Sequence, residues 1–438
     1  MATIAVVGGG IAGLSCAWRL ARAGHQVEVI ERESRAGGRM RSERHGDFVL
    51  DRGAQFVASG YRNLHRIARE VGVDQRLRPV RRASNAILRA GRLEPGDYDS
   101  PGAFLRSRLL SARGKLGLLR LAAVLARNWR RLDPWHPERA AHLDGEDMAS
   151  FLRRVAGDEA ARFLLEPAFS STFDSDPEDL SGAFALLAMR FLAGGFRLQC
   201  FEGGIGVLTE ALAQRVPVRV GWEVRAVETD AAGARIHFVT PSGERTLAAD
   251  AAVVAVPGSR VAALCPGLSA EEHAFFDQVR YVRGMIAFLL LDKAPESLPY
   301  YGVAFPEPEG LGLYGLAVDH HKQGVAPEGA GLVNVALRAR SAERLWNAGD
   351  AEVAEAVLSD LARTPIGRLD PQAVVVHRWD PMLPQFHAGH LRALRAFLAR
   401  RQRSPRLAFA GDCLVGPYTE AALTSGLRAA NEIAQSLS

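Results

Sequence analysis

The stretch TIAVVGGGIAG, residues 3–13, decides the fold of this chain. It starts with a short, mostly apolar run that favours a buried strand, and glycines follow at once in the pattern G-x-G-x-x-G. Residues 14–23 then carry apolar side chains at helical spacing, and residues 27–31 form a second apolar run. Because the order is strand, glycine-rich turn, helix and strand, it predicts a dinucleotide-binding unit of the α/β class.

Each glycine of the pattern has a separate physical task. Gly8 permits the tight turn, Gly10 lets the backbone approach a pyrophosphate, and Gly13 lets the helix pack closely on the strand. The free N–H groups at the helix start favour bound phosphate. Glu31 follows at roughly the 20 residues expected of a carboxylate that accepts from a ribose hydroxyl. The dinucleotide-binding residues predicted from this unit are Gly8, Gly10, Ile11, Ala12, Gly13, Glu31 and Arg32.

Two further motifs follow the second apolar run. Residues 35–39 read R-A-G-G-R, and residues 51–56 read D-R-G-A-Q-F. In this order the chain resembles the superfamily of flavin-containing amine oxidases and protoporphyrinogen oxidases, and the protoporphyrinogen oxidase-like branch is favoured. The resemblance implies FAD as the cofactor. It also implies Gly38 and Arg39 near the pyrophosphate, with a second set passing beside the isoalloxazine: Gly53, Ala54, Gln55 and Phe56.

The resemblance extends to the end of the chain. Gly411 and Asp412 follow the apolar run 407–410, and the family's aspartate at this point accepts from a ribityl hydroxyl. Ala421 and Ala422, at the start of the last helix, replace the family's commoner E-G-A next to the flavin. In relatives the backbone at the position of Val224 bonds the adenine. Both ends of the chain are therefore expected to hold one FAD.

The predicted fold is a Rossmann-like FAD-binding domain of the glutathione reductase type, interleaved with an α+β substrate domain that carries a helical insertion. The FAD-binding domain is expected at 1–78, 200–265 and 395–438. The substrate-binding domain is expected at 79–199 and 266–394, with 101–199 mostly helical.

Composition narrows the class of protein. The 438 residues are 48% hydrophobic with a net charge of +5, and the basic side chains are almost all arginine without a nucleic-acid recognition motif. The four cysteines form no C-x-x-C pair, which is typical of a reducing compartment, and neither a metal-binding motif nor a leader segment is recognisable. We expect a cytoplasmic enzyme with no metal and no nucleic-acid partner.

One segment, residues 104–132, combines eight basic residues with regularly spaced leucines and has no acidic residue. Three interpretations remain open: a helix pair with a solvated basic face, a surface that docks peripherally on anionic lipid, or a basic wall for an acidic substrate. Protoporphyrinogen oxidases are similar in having a helical insertion here that meets the membrane.

The expected reaction is dehydrogenation of a small molecule by hydride transfer to flavin N5, with dioxygen or another acceptor reoxidising the flavin. The long helical insertion and the stretch 384–390, which resembles P-Q-Y-x-x-G-H, favour a protoporphyrinogen oxidase-like enzyme. A flavin amine or amino-acid oxidase is the alternative, since Tyr418 matches the tyrosine of that family's aromatic cage, although it also fits simple packing. A flavoprotein without turnover is a second alternative. The candidate catalytic residues are Gln55, Tyr418 and Gln385.

Overall fold

A computed structural model describes residues 1–96, 101–195, 197–401 and 404–437. The first layer is a parallel five-stranded sheet in which the first strand pairs with the second on one side and with a much later strand on the other. Three of the strands are almost fully buried, as expected of a parallel sheet covered on both faces, and the edge strand Val218–Val220 is partly exposed. In spatial order they are Val218–Val220, Gln26–Glu31, Thr3–Val7, Ala251–Val254 and Leu407–Phe409.

Two helices from opposite ends of the chain pack on this sheet and on each other. Ile11–Arg22 begins at the glycine-rich turn, and Thr419–Ser436 is the last helix. They approach so closely that a Cβ at Gly426 would stand 2.0 Å from the carbonyl oxygen of Ala12. The Ser15 hydroxyl adds a hydrogen bond to the Leu423 carbonyl at 3.1 Å. The last helix therefore closes the domain that the first residues begin.

An antiparallel three-stranded meander lies beside the parallel sheet and packs its apolar face against it. Its strands are Glu223–Thr229, Ala234–Thr240 and Gly243–Ala249. The strict alternation of buried and exposed residues along Ala234–Thr240 is that of a strand with one face in the core.

The second large layer is a seven-stranded mixed sheet. Its second strand in spatial order, Gly284–Leu291, is buried along its whole length. Its one parallel pair joins Gly302–Ala304 to Asn85–Arg89, which lies more than 200 residues earlier in the chain. In spatial order the strands are Ala373–Trp379, Gly284–Leu291, Gly331–Leu337, Leu313–Val318, Gly302–Ala304, Asn85–Arg89 and Arg92–Pro95.

Helices dominate the described residues of the segment 101–192. They are Pro101–Arg106, Ala112–Asn128, Met148–Ala156, Asp158–Ala160, the π-helical turn Ala161–Leu165, Glu166–Phe173 and Gly182–Leu192. The other α-helices are Arg62–Glu70, Val207–Ala213, Val261–Leu264, Ala270–Phe276, Ala339–Arg344, Asp350–Ala362 and His390–Leu398. The remaining strands are Ser42–His45 with Phe48–Asp51, Arg280–Tyr281 with Pro384–Gln385, and a small sheet of Val57–Ala58, Leu198–Phe201 and Leu77–Pro79. Within the described ranges, no helix is long and apolar enough to cross a membrane.

The predicted fold class is confirmed by this architecture. The domain boundaries stay a prediction. Every strand of the five-stranded sheet falls within 1–78, 200–265 and 395–438, and every strand of the seven-stranded sheet falls within 79–199 and 266–394.

Candidate active site

A single cavity of about 1750 Å³ reaches both large sheets. Pockets for one small ligand usually enclose about 300–1000 Å³, so this volume is sufficient for an extended cofactor and a second molecule. Most of the predicted FAD-binding residues line it: Gly8, Gly10, Ile11, Ala12, Glu31, Arg32, Gly38, Arg39, Gly53, Ala54, Gln55, Phe56, Val224, Gly411, Asp412 and Ala422. Gly13 and Ala421 lie in packed contacts instead.

The glycine-rich turn has the geometry of a phosphate cradle. Gly8 has a φ of +105°, and a Cβ there would stand 2.7 Å from the Ala255 carbonyl oxygen. A Cβ at Gly13 would stand 1.9 Å from the Gly8 carbonyl oxygen, so this glycine permits the close packing expected of it. At Gly10 a Cβ would meet no atom within 4 Å, because this residue faces the cavity. The helix behind it begins without a side-chain cap or an acidic residue, which leaves its N–H groups for an anion.

Glu31 ends the second strand with its carboxylate fixed at the cavity wall. One oxygen accepts from the Gly9 N–H at 2.7 Å, and the other accepts from the Glu33 N–H at 2.8 Å. Arg32 also lines the cavity, but its side chain is exposed and pairs with Glu33. The buried acid is therefore a fixed polar group at this part of the cavity wall, and its contact with a ribose stays a prediction.

Arg39 and Asp412 meet directly in the cavity wall. An Arg39 Nη1 lies 2.7 Å from Asp412 Oδ2 and also donates to the carbonyl oxygen of Met382 at 2.6 Å. The Tyr281 hydroxyl donates to the other Asp412 oxygen at 2.8 Å, and the Arg39 guanidinium lies over the Tyr281 ring. Burial and the neighbouring Asp412 hold the pKa of Tyr281 well above its usual range, so Tyr281 stays a hydrogen-bond donor. Sequence reasoning missed Tyr281, since a tyrosine in a two-residue strand carries no motif.

Gln55 lies at the centre of a buried polar network. Its Nε2 donates to the carbonyl oxygens of Asp51 and Gly53, and its Oε1 accepts from Lys322 at 2.9 Å and from Asn334 at 3.0 Å. A carboxamide has two donor and two acceptor positions, and here each has a partner. The Gln55 side chain is therefore occupied in fixing the loop, and it has no hydrogen-bonding position left for a substrate.

Lys322 supplies the positive charge of that network. Its side chain is fully enclosed, and Nζ lies 2.7 Å from Asp319 and 3.2 Å from Asp51. Burial lowers the pKa of Lys322, but the adjacent carboxylates outweigh this effect and the pKa is raised above its usual value. Burial raises the pKa of Asp319, while Lys322 opposes the increase. No motif in the sequence predicts this cluster, because Lys322 lies three residues from Asp319 but far along the chain from Asp51 and Gln55.

Tyr418 belongs to an aromatic cluster at the start of the last helix. Its ring is nearly parallel to Tyr61 and to Phe191, with centroids 6.3 and 6.1 Å away, and its edge meets Trp135. Its hydroxyl donates to the Pro134 carbonyl oxygen at 2.9 Å. Aromatic rings at these separations are in contact, which leaves no room for a substrate group between them. Tyr418 lines the cavity, but its surroundings favour the packing interpretation.

Gln385 and His390 act in the scaffold behind the site. The strand Pro384–Gln385 pairs with Arg280–Tyr281, and the Gln385 side chain bonds Asp179. His390 is buried, with Nε2 2.9 Å from the carbonyl oxygen of Cys413. Burial lowers the pKa of His390 to about 4, so the ring is neutral at physiological pH. The stretch 384–390 thus supports Tyr281 and the turn after Asp412, and Gln385 has no place in the cavity wall.

The rest of the cavity is mostly apolar and is built by the helical segment and the seven-stranded sheet. Phe173 packs edge-on against Phe184 at 5.0 Å and nearly parallel to Phe169 at 6.3 Å. From the sheet, Ile286, Val303 and other small or apolar side chains complete the wall. A wall of this kind excludes water and suits a bulky, largely apolar substrate.

Several known proteins are similar to this chain in sequence. Residues 11–434 match the family described as Flavin containing amine oxidoreductase. Coproporphyrinogen III oxidase of Mycobacterium tuberculosis is 26% identical, covering 99% of this chain and 97% of its own length. Protoporphyrinogen oxidase 2 of Arabidopsis thaliana is 27% identical over 41% of this chain and 34% of its own.

The fold is also found in solved structures. Cyclohexylamine oxidase from Brevibacterium oxydans matches with a TM-score of 0.79 at 20% identity, covering 100% of this chain and 99% of that one. FAD is the cofactor that this family and the cavity lining share. The chain therefore belongs to the flavin-containing amine oxidoreductase family, and it is an FAD-dependent oxidoreductase.

Proposed function

We propose that this enzyme dehydrogenates a reduced, conjugation-prone cyclic compound of the porphyrinogen class. The observation that carries the proposal is the continuous cavity of about 1750 Å³, which runs from the glycine-rich cradle to an apolar chamber. The volume is large for a cofactor and a small amine, and the aromatic wall formed by Phe169, Phe173 and Phe184 suits a flat apolar macrocycle.

Bound FAD would supply the redox chemistry, accepting a hydride at N5 and passing the electrons to dioxygen or another acceptor. The residues of this chain would hold and orient it. We propose that the Gly8–Gly10 turn and the start of the helix Ile11–Arg22 bind the pyrophosphate, that Glu31 binds a ribose, and that Asp412 binds the ribityl chain. Thr419 and Ala422, at the uncapped start of the last helix, line the same cavity and direct that helix end at it.

The length of the alignment with one relative supports the porphyrinogen class. The coproporphyrinogen III oxidase of M. tuberculosis aligns with nearly the whole chain, including the helical segment that walls the cavity. That enzyme's name describes its own substrate. We take the same class for this chain because the alignment covers nearly all of both chains and the cavity described above suits a bulky apolar ring system.

An amine oxidase is the second candidate, since cyclohexylamine oxidase shares the fold and Tyr418 lines the cavity. In amine oxidases a lysine often stands near the start of the strand that corresponds to Gly284–Leu291. Here that strand has Met285 and Ile286 at its start. The enclosed Lys322 is held by Asp319 and Asp51, so it does not replace that lysine.

Anaerobic reduction distinguishes the two candidates. Purified holoenzyme would be mixed without oxygen with coproporphyrinogen III, protoporphyrinogen IX, benzylamine or putrescine, and the flavin absorbance near 450 nm (roughly as for any flavin) would be followed. We expect bleaching by a porphyrinogen and recovery of the absorbance on admission of air. Bleaching by an amine alone would replace the proposal with the second candidate. If only dithionite bleaches the flavin, the protein is a flavoprotein without turnover on either class.

We also propose that the helix Ala112–Asn128 contacts anionic lipid. Its inner face packs so tightly that a Cβ at Gly117 would stand 1.7 Å from the Ala156 carbonyl oxygen. On its outer face Leu116 and Leu119 are 61% and 65% exposed. Arginines repeat there at seven-residue spacing, at 113, 120 and 127. Exposed leucines beside arginines are typical of a helix that lies on a membrane surface.

Co-sedimentation with lipid vesicles tests this contact. We expect the protein to pellet with vesicles of phosphatidylcholine and phosphatidylglycerol and much less with phosphatidylcholine alone. The double variant L116E/L119E should lose that binding. The control L398E, which adds one charge at another exposed leucine, should retain it. Equal sedimentation of L116E/L119E and the unchanged protein would remove this proposal.

A further inference from the structure

We infer that Asp174 is the substrate-recognition residue of the cavity and that it accepts a hydrogen bond from an N–H group of the substrate. The donor would be a pyrrole N–H of a porphyrinogen or the ammonium group of an amine. The inference rests on the proposed function in one respect, namely that the substrate occupies this cavity.

The backbone places Asp174 at the cavity wall in an uncommon conformation. It follows the helix Glu166–Phe173 with φ of 48° and ψ of 37°, in the left-handed region. Among residues other than glycine, Asp and Asn adopt this region most readily. The same helix end contributes Phe169, Thr172 and Phe173 to the cavity lining, so the carboxyl group stands among aromatic side chains.

The neighbouring acidic residues are all engaged. Asp176 accepts from the Tyr314 hydroxyl at 2.9 Å, Glu178 pairs with Arg153 at 3.2 Å, and Asp179 bonds Gln385. Asp174, by contrast, has neither a hydrogen bond nor an ion pair with any residue in the part of the chain that the structure describes. Asp174 is half-buried, and a half-buried carboxyl group without a protein partner is available to a donor on a bound ligand.

The raised pKa of Asp174 is consistent with a role as hydrogen-bond acceptor for a ligand. Burial raises the pKa of Asp174 to about 7. Near neutral pH the group is therefore partly ionised and gains most from a donor that carries or shares positive charge. In an amine the donor nitrogen is bonded to the carbon that loses hydride, and in a porphyrinogen one carbon of the pyrrole ring separates the nitrogen from the methylene bridge that loses hydride. Contact at Asp174 would thus orient the reacting part of either molecule.

The test uses the FAD-loaded enzyme and three variants. D174N keeps the size of the side chain and the residue type that tolerates the left-handed backbone, and D174A removes the acceptor. E178Q is the matched control, because Glu178 is an exposed acid four residues away that pairs with Arg153. KM and kcat would be measured with coproporphyrinogen III and with benzylamine, and melting temperatures would show that each variant is folded.

For whichever compound the unchanged enzyme oxidises, we expect D174A to raise KM by about 10-fold or more with kcat within about 3-fold, as for loss of a hydrogen bond to a charged group. D174N loses the negative charge but keeps an oxygen that can accept, so its KM should lie between those of D174A and the unchanged enzyme. E178Q should leave both constants unchanged. A folded D174A with KM within about 2-fold of the unchanged enzyme would overturn the inference while leaving the proposed function standing. The compound that is oxidised shows whether the N–H donor is the pyrrole of a porphyrinogen or the ammonium group of an amine.

If neither compound is oxidised, the proposed function fails and calorimetry decides the inference. Benzylamine hydrochloride would then be titrated into the holoenzyme and into D174A, with benzyl methyl ether as the probe that lacks an N–H group. Weaker amine binding by D174A, with ether binding unchanged, supports recognition by Asp174. Equal amine binding by the two proteins overturns it.

Discussion

The ammonium group of Lys322 lies 2.9 Å from the amide oxygen of Gln55, across a separation of 267 residues. This bond ties the loop 53–56, which lines the cavity, to the seven-stranded sheet, since Asn334 of that sheet bonds the same oxygen. Lys322 also neutralises Asp51 and Asp319. The geometry of the cavity next to Gln55 thus depends on the enclosed positive charge of Lys322, whose contribution to stability can be measured.

Replacing Lys322 by Met should destabilise the protein severely. The variant would leave two enclosed carboxylates without their cation, and breaking a buried ion pair in this way costs about 3–5 kcal/mol. Denaturant unfolding of K322M measures the free energy of unfolding. The control K293M removes a lysine that is 83% exposed and pairs with Glu296 at 3.6 Å, so it should change stability by less than about 1 kcal/mol. Similar losses in both variants would contradict the role given to Lys322.

Substitutions at two glycines of the first turn should affect different properties, one the stability of the apoprotein and the other its affinity for FAD. G13A would push a Cβ to 1.9 Å from the Gly8 carbonyl oxygen, so we expect a loss of at least about 1–3 kcal/mol in apoprotein stability. G10A meets no protein atom, so the apoprotein should stay within about 1 kcal/mol of the original. Its methyl group would occupy the phosphate cradle, and FAD titration should show about 10-fold weaker binding or worse. Unchanged FAD affinity of G10A would place the pyrophosphate elsewhere.

Tyr418 should prove to be a packing residue. Y418F removes only the hydrogen bond to Pro134 and should cost about 1 kcal/mol of stability, with kcat/KM within about 3-fold. Y418A removes the ring from its contacts with Tyr61 and Phe191 and should cost about 3–5 kcal/mol. Steady-state kinetics and thermal unfolding check both variants. A large loss of kcat/KM in a stable Y418F would instead give the hydroxyl a catalytic part.

Stability should fall as pH rises through neutrality because of Glu420. Its carboxyl group caps the helix Arg62–Glu70 by accepting from the N–H groups of Asn63 and Leu64. Burial raises the pKa of Glu420 to about 7 from the usual 4.5, and the two N–H groups oppose the increase. The unfolded chain releases this proton at lower pH than the folded protein does. The stability that protonated Glu420 contributes to the folded protein is therefore complete below about pH 4.5 and is lost as pH rises through 7.

Melting temperatures of the holoenzyme between pH 5.5 and 8.5 (a range chosen about the folded pKa) test this dependence. The melting temperature of E420Q should decrease less with rising pH, because its side chain cannot ionise but keeps an oxygen that can accept hydrogen bonds from the helix N–H groups. Asp174, with its pKa raised to about 7, contributes in the same direction, so the double variant D174N/E420Q should show the flattest profile. Identical profiles for E420Q and the unchanged enzyme would exclude Glu420 as a source.

The features predicted from sequence are those that local chemistry determines. Gly8, Gly10 and Gly13 must satisfy a turn, a phosphate approach and a close helix contact within six residues, so their spacing alone identifies them. The family resemblance implies the role of Asp412, which lies between a buried strand and the last helix. The structure places Gly8, Gly10 and Asp412 on one cavity.

The features that the sequence did not reveal depend on long-range packing. Lys322 and Asp51 are 271 residues apart in the chain and bear no motif, so only the folded sheets bring them together. Gln55 was predicted next to the flavin, but its four hydrogen-bonding partners come from three segments and could not be foreseen. The isolation of Asp174 is likewise visible only when the partners of its acidic neighbours are known.

The contact between Gly426 and the Ala12 carbonyl has a consequence for biosynthesis. The face of the helix Ile11–Arg22 that packs on the last helix remains uncovered until residues 419–436 have left the ribosome and docked against it. Nascent chains that lack this segment would expose that face, however completely the intervening sheets had formed. Because Asp412 and Ala422 also line the cavity, we expect complete FAD binding only after this segment has been synthesised and has docked.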